Sequence, residues 1–336
     1  MDSQKRIRLI KKILTNRVPK NLSTLVVDYP KPMHLKALKK LNITYTSSLK
    51  SQINEARAIG IKCFTSLEKE FDIVIVSPKK SRPEALYKIA FGYQHLKSGG
   101  ILAIEGTRRI GINGIIKEVC KKIEADSILA KAHGKIAILS VKYKDSLVVK
   151  EWLRNCTPKK NEDGFLSVPG LFSHRRVDPA SRFLSSVFDD KISGSVIDLG
   201  AGWGFLSVEA LLRSSKITSL KLIDNDLTAI KMAKLNVKSP KASFEWLDIT
   251  ETSQFSKTFD TVLCNPPFHS DHNLDFQLGI SFINSASEVL KMSGRLLLVS
   301  NIHLPYEDAI KRLFKDFKIV KQNKYYKIIL ATRPKK

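Results

Sequence analysis

Apolar and polar positions along the second half of the chain switch repeatedly between a period of two and a period near 3.6. SVIDLG (195–200) is a short apolar run closed by Asp and Gly, and the amphipathic stretch 203–214 after it reads as a helix. SLKLIDND (219–226) is the next strand and TAIKMAKLNV its helix; ASFEWLD (242–248) and FDTVLCNPP (259–267) are two more strands. A helix over 274–291 leads into the strand GRLLLVSN (294–301). Strands separated by helices of this length predict a parallel sheet with helices on both faces. The tail breaks the rhythm. A helix near 305–315 precedes FKIVKQ and YYKIILATR, which a short Asn-Lys turn joins into a terminal antiparallel hairpin.

The first half repeats the plan. FDIVIVSPKK (71–80) aligns with FDTVLCNPPF (259–268), HLKSGGILAIEG (95–106) with VLKMSGRLLLVSN (289–301), and TLVVDYP (24–30) takes the place of SVIDLGAG. The offset grows from 170 to 188 to 195, so order is kept while loops differ. Two copies of one α/β domain are therefore expected, each a mainly parallel, seven-stranded type of sheet ending in an antiparallel hairpin. Where the second copy has Asp-Leu-Gly-Ala-Gly-Trp-Gly the first has Asp28-Tyr29-Pro30-Lys31-Pro32, and Asn265-Pro266-Pro267-Phe268 is matched by Ser77-Pro78-Lys79-Lys80. Prolines cannot make the tight backbone turn that glycines permit, so the N-terminal copy reads as degenerate. The charged segment around 145–165 places the joint: residues 1–150 form the degenerate domain, 151–165 a linker and 166–336 the second domain.

Composition narrows the partners. The chain has 336 residues, 43% hydrophobic, with no apolar run approaching eighteen residues and too short an apolar stretch after its charged start for a signal peptide. A cytoplasmic protein without membrane contact is expected. Four scattered cysteines with no CxxC pair give neither a disulfide framework nor a zinc site, so no metal is expected. Net charge is +25, of which residues 1–160 carry +20 (33 Lys+Arg against 13 Asp+Glu). A field so placed suits a polyanion such as RNA, held by the first domain. A tandem duplication also replaces a homodimer internally, and a monomer is expected.

The second copy carries the chemistry. Asp198-Leu199-Gly200-Ala201-Gly202 ends a strand at the edge where open α/β sheets bind ligands. Position 205 is Phe, so the dinucleotide spacing GxGxxG is not met. A carboxylate before the loop suits a ligand with an ammonium and no phosphate, as S-adenosylmethionine is. Asp224 ends the next strand, where a carboxylate can take both ribose hydroxyls; Asp226 is the lesser alternative, as a helix cap. Asp248 could take an adenine amino group or serve as a turn aspartate. Asn265, Pro266 and Phe268 form the sharpest signal. A base's exocyclic amine is a poor nucleophile because its lone pair is delocalised. The Asn265 side-chain oxygen and the Pro266 carbonyl can bind its two hydrogens and favour tetrahedral geometry, while Phe268 stacks on the base. Pro267, Phe172 and His269 are candidate substrate contacts.

With these residues in hand, the second domain resembles class I methyltransferases of the NPPF/Y type. The whole chain resembles the bacterial rRNA guanine-N2 methyltransferases of the small subunit, through Pro169-Gly170-Leu171-Phe172-Ser173 with Asp178 and Ser181, Asn301-Ile302-His303-Leu304-Pro305-Tyr306, and Arg82-Pro83-Glu84-Ala85. The resemblance implies two tandem Rossmann-like methyltransferase domains, the first a degenerate support that binds RNA. It implies that Asn265, Pro266 and Phe268 hold a guanine of 16S rRNA in the small ribosomal subunit, that Asp198, Gly200, Gly202 and Asp224 hold S-adenosylmethionine, and that 169–181 closes over both. His174-Arg175-Arg176 departs from the family's more neutral or acidic pattern. Two readings compete: the same chemistry on a large-subunit rRNA guanine, an adenine N6 or a glutamine amide, and a non-catalytic RNA-binding assembly factor.

Overall fold

The structure is a computed structural model and describes residues 2–17, 22–38, 41–141, 146–189, 191–267 and 276–335. The chain divides into two units: Met1–Thr157 with Val168–Gly170, and Pro158–Ser167 with Leu171–Lys336. The segment expected as a linker holds the end of a helix, a 3-10 turn (Arg154–Cys156) and a short strand.

In the first unit, helix α1 (Asp2–Arg17) precedes strands β1 (Ser23–Val27), β2 (Asn42–Thr46), β3 (Lys62–Cys63), β4 (Phe71–Val76), β5 (Leu96–Thr107), β6 (Ser127–Lys131) and β7 (Gly134–Ser140). Helices α2 (Lys50–Ala58), α3 (Arg82–Gln94), α4 (Ile112–Cys120) and α5 (Leu147–Leu153) alternate with or follow them. The second unit opens with the antiparallel pair β8 (Lys159–Lys160) and β9 (Leu166–Ser167), then α6 (Pro179–Ser185), β10 (Gly194–Leu199), α7 (Phe205–Arg213), β11 (Ile217–Asp224), α8 (Leu227–Asn236), β12 (Ala242–Trp246) and β13 (Phe259–Cys264). It closes with α9 (Phe276–Val289), β14 (Leu290–Asn301), α10 (Glu307–Leu313), β15 (Phe314–Gln322) and β16 (Tyr326–Pro334).

The two seven-stranded sheets run β3-β2-β1-β4-β5-β7-β6 and β12-β11-β10-β13-β14-β16-β15, the same order place for place. In each sheet the first four pairings are parallel and the last two antiparallel, so a single strand, β7 or β16, runs against the rest. The expected duplication and terminal hairpin are thus the architecture of the molecule. The central strands are apolar on both faces, as helix-covered parallel sheets require: Val26, Ile73 and Ile75 are fully buried in one unit, and Ile197, Val262 and Leu263 in the other. The tail hairpin turns on Asn323, whose side-chain oxygen accepts the backbone N–H groups of Tyr325 (2.8 Å) and Tyr326 (2.7 Å).

Strand register corrects one alignment. Val27 pairs with Val76, and Leu199 with Cys264. With β4 and β13 188 residues apart, β1 and β10 are offset by 172 and not 170, so Val26 stands where the second unit has Asp198. Asp28 instead takes the place of Gly200, and both are left-handed (φ 52° and 72°). The first unit fills the ligand edge of its own sheet. Lys88 pairs with the buried Asp28 at 2.8 Å. Burial raises the Asp28 carboxyl, but the Lys88 and Lys79 charges outweigh it and hold the group at about 2. Ser77, at the place of Asn265, donates to Glu105 (2.5 Å), which also takes Arg6 of α1 (2.5 Å); the Tyr29 hydroxyl donates to the Ser3 carbonyl (2.7 Å).

Candidate functional site

At the carboxyl edge of β10 the chain turns through Gly200, Gly202 and Gly204, all with positive φ (72°, 57° and 95°). A Cβ at Gly200 would lie 3.0 Å from the Phe282 ring, whereas one at Gly202 would meet nothing within 4 Å, so the loop is tight against α9 on one side and open on the other. Asp224, at the end of β11, holds the loop: one carboxylate oxygen accepts the Gly202 N–H (2.8 Å) and the other the Asp226 N–H (2.7 Å). Burial nevertheless raises its carboxyl to about 6. Asp226 itself caps α8 by accepting the Thr228 N–H at 2.8 Å, so Asp224 is the aspartate that holds the glycine loop and Asp226 the one that starts the helix.

Asp198 lies beneath the loop, fully buried. The Ser207 hydroxyl donates to one oxygen at 2.7 Å, and the other has no hydrogen-bond partner among the described residues. Burial raises the carboxyl to about 7, the Ser207 bond opposes this, and the Asp224 charge adds to it. Among the described residues neither carboxylate is in an ion pair, in contrast to Asp28 of the first unit. Such a site rewards a cationic ligand, whose charge would compensate the carboxylate that burial disfavours.

Asn265 follows β13. Its amide nitrogen donates to Asp178 (2.9 Å) and to the Ser181 hydroxyl (2.7 Å), while its side-chain oxygen is buried with no partner among the described residues. A pocket of about 370 Å³ joins these features, within the range of small-ligand sites. Of the residues singled out from the sequence, Phe172, Gly200, Gly202, Asp224, Asp248, Asn265, Pro266 and Pro267 line it. Asp198 does not; it is fully buried in β10. Phe172 stands at the rim, 69% exposed, its carbonyl held by the Trp203 indole N–H at 3.2 Å. Asp248 caps the 3-10 turn Ile249–Phe255 in a capping box with Glu251, so the turn reading and the pocket position hold together. Phe268 and His269 lie outside the described residues, and nothing is placed for them.

Sequence reasoning missed the apolar walls, Ile223, Leu247, Ile249, Leu278 and Phe282. Leu278 and Phe282 sit four apart on α9, a helical spacing that could have marked them. It also gave Ser207 no part, and gave Asp178 and Ser181 no contact with Asn265. Asp178-Pro179 is a legible helix start, and Asp178 does cap α6 by accepting the Ser181 N–H at 2.9 Å. Among the described residues no group of three His, Cys, Asp or Glu could hold a metal ion, and no helix is long and apolar enough to cross a membrane.

The chain is similar to known proteins. The ribosomal RNA small subunit methyltransferase C of Psychromonas ingrahamii is 28% identical over 276 residues, 78% of this chain and 76% of that protein. The protein of the same name from Buchnera aphidicola subsp. Schizaphis graminum is 34% identical over 165 residues, 49% of each. Among solved structures, the T. thermophilus 16S rRNA N2 methyltransferase in complex with AdoMet and guanosine superposes with a TM-score of 0.78 at 21% identity, covering 97% of this chain and 92% of that one, a likeness of fold. Residues 162–330, half of the chain and nearly all of the unit that holds the pocket, match the Methyltransferase small domain family, and the chain belongs to that family.

Proposed function

We propose that the chain methylates the exocyclic N2 amine of a specific guanine in small-subunit (16S) rRNA, with S-adenosylmethionine as methyl donor. The observation that carries this reading is the buried side-chain oxygen of Asn265, without a partner among the described residues, in the wall of a pocket shared with the glycine loop and Asp224. The names of the relatives supply the substrate class.

The residues present fit the donor. Gly200 and Gly202 would let the backbone approach it, Asp224 would take the ribose hydroxyls and Asp248 the adenine amino group, and Asp198 would add the negative charge that an ammonium and a sulfonium favour. When bound, S-adenosylmethionine supplies a methyl group on a positively charged sulfur that leaves as a neutral thioether. The chain's own part is to prepare the acceptor. The Asn265 oxygen and the Pro266 carbonyl accept the two hydrogens of the base amine and draw its nitrogen toward tetrahedral geometry, freeing the lone pair. Pro266 and Pro267 fix the backbone that presents this carbonyl. Phe172 at the rim, with Phe268 and His269, is proposed to hold the base. The amine needs no strong base, since its proton becomes acidic as the new N–C bond forms.

Residues 1–150 are proposed as the RNA-holding domain and 166–336 as the catalytic one, working as a cytoplasmic monomer on the ribosomal RNA or the small subunit. Asn265→Ala tests the assignment. In single-turnover assays with 16S rRNA the rate falls at least about 100-fold, while calorimetric affinity for S-adenosylmethionine stays within roughly threefold. Equal loss of both would show that Asn265 serves the cofactor.

A further inference from the structure

A side-chain amide can face the base with its oxygen or with its NH₂, and only the oxygen can accept an amine hydrogen. Rotation about the last bond of Asn265 exchanges the two at no covalent cost. Asp178 and Ser181 remove that freedom. The Asn265 nitrogen donates to an Asp178 carboxylate oxygen at 2.9 Å and to the Ser181 hydroxyl oxygen at 2.7 Å. A carboxylate accepts and never donates, so a flipped amide would set its oxygen against the Asp178 oxygen and lose that bond; the Ser181 hydroxyl accepts in the observed orientation and could turn to donate in the other, so Asp178 sets the choice and Ser181 supports it. The same Asp178 oxygen accepts the Ser181 N–H at 2.9 Å, which caps α6 and locks the two acceptors to each other. The clamp is thus rigid at its own base, and it leaves the Asn265 oxygen buried without a partner among the described residues.

We propose that Asp178 and Ser181 are positioning residues for methyl transfer: they hold Asn265 in the single amide orientation that presents its oxygen to the base amine. This rests on the reading of Asn265 given above. The pair reaches the reaction only through Asn265, which separates it from a residue that merely stabilises α6.

The test is a double-mutant cycle with purified full-length protein, 16S rRNA and methyl-labelled S-adenosylmethionine under single-turnover conditions. The combined Asp178→Ser, Ser181→Ala variant keeps a hydroxyl able to cap α6 but leaves no acceptor-only group facing Asn265, so a hydroxyl that can also donate no longer enforces the amide orientation. Its rate is expected to fall roughly 10- to 100-fold, with cofactor affinity and half-saturating rRNA within about threefold of wild type. Asp178→Asn, which can still offer an oxygen at that place, is expected to restore most of the rate when Ser181 is intact. In an Asn265→Ala background the clamp substitutions should change the residual rate less than about twofold. A full additional loss in that background, or an unchanged rate in the wild-type background, overturns the proposal. Full turnover by Asn265→Ala alone overturns instead the reading of Asn265 on which it rests.

Discussion

Burial holds the Asp198 carboxyl at about 7 and that of Asp224 at about 6, against 3.8 for the free side chain. An unfolded chain ionises both near 3.8, so between that pH and about 7 the folded state keeps protons that the unfolded state has released. Stability is therefore full at low pH and falls as pH rises through this window. Ligand binding runs the other way, because a cation gains from the ionised carboxylates. Asp198→Asn, which resembles the protonated side chain, should stabilise the ligand-free protein at pH 8 by on the order of 2–4 kcal/mol in denaturant titrations and gain little below about pH 4. It should also weaken S-adenosylmethionine binding at pH 8. Loss of stability at pH 8 would mean that the ionised Asp198 carboxylate has a partner in the fold. The sequence showed the carboxylate and its place after a strand, but not that its second oxygen would be left unpartnered. Nor could it show what holds Asn265, because Asp178 and Ser181 lie 87 and 84 residues away along the chain.

At the scale of elements, legibility followed burial. β10, β13 and the 294–301 part of β14 are short apolar runs between glycines, prolines and charges, and their pattern alone located them. β2, β3 and β6 are short or partly exposed and carry little periodicity, so nothing announced them. Helix α1 hides for a different reason: DSQKRIRLIKKILTNR looks like a solvated basic stretch, yet Arg6, Ile7, Ile10 and Leu14 are buried to within 1%. Arg6 enters the sheet edge to meet Glu105, itself buried and bonded to Ser77. Removing one member of such a pair leaves an uncompensated buried charge. Arg6→Ala should destabilise the first unit by about 3–5 kcal/mol, and Arg6→Met with Glu105→Leu should recover most of it. An Arg6→Ala variant that melts like wild type would show that the pair is not a structural anchor of α1.

The whole molecule is a duplication whose halves have parted chemically. One sheet edge is closed by its own Arg6, Tyr29 and Lys88; the other keeps a pocket with glycines, carboxylates in no ion pair among the described residues and the Asn265 amide. The first half carries most of the net charge, including the exposed Arg108 and Arg109 of unit 1. If this half holds rRNA, Arg108→Ala with Arg109→Ala should lower the slope of log affinity against log salt by about 1–2 and leave cofactor binding unchanged. An unaltered slope would place these side chains outside the RNA contact. The claim on which the rest depends is methylation of a guanine N2 in 16S rRNA by the second unit. Mass spectrometry of 16S rRNA nucleosides from cells with and without the gene tests it most directly. Deletion is expected to lower N2-methylguanosine by one residue per 16S rRNA, restored by the wild-type gene and not by Asn265→Ala. An unchanged N2-methylguanosine content, or loss of a different methylated nucleoside, would contradict it.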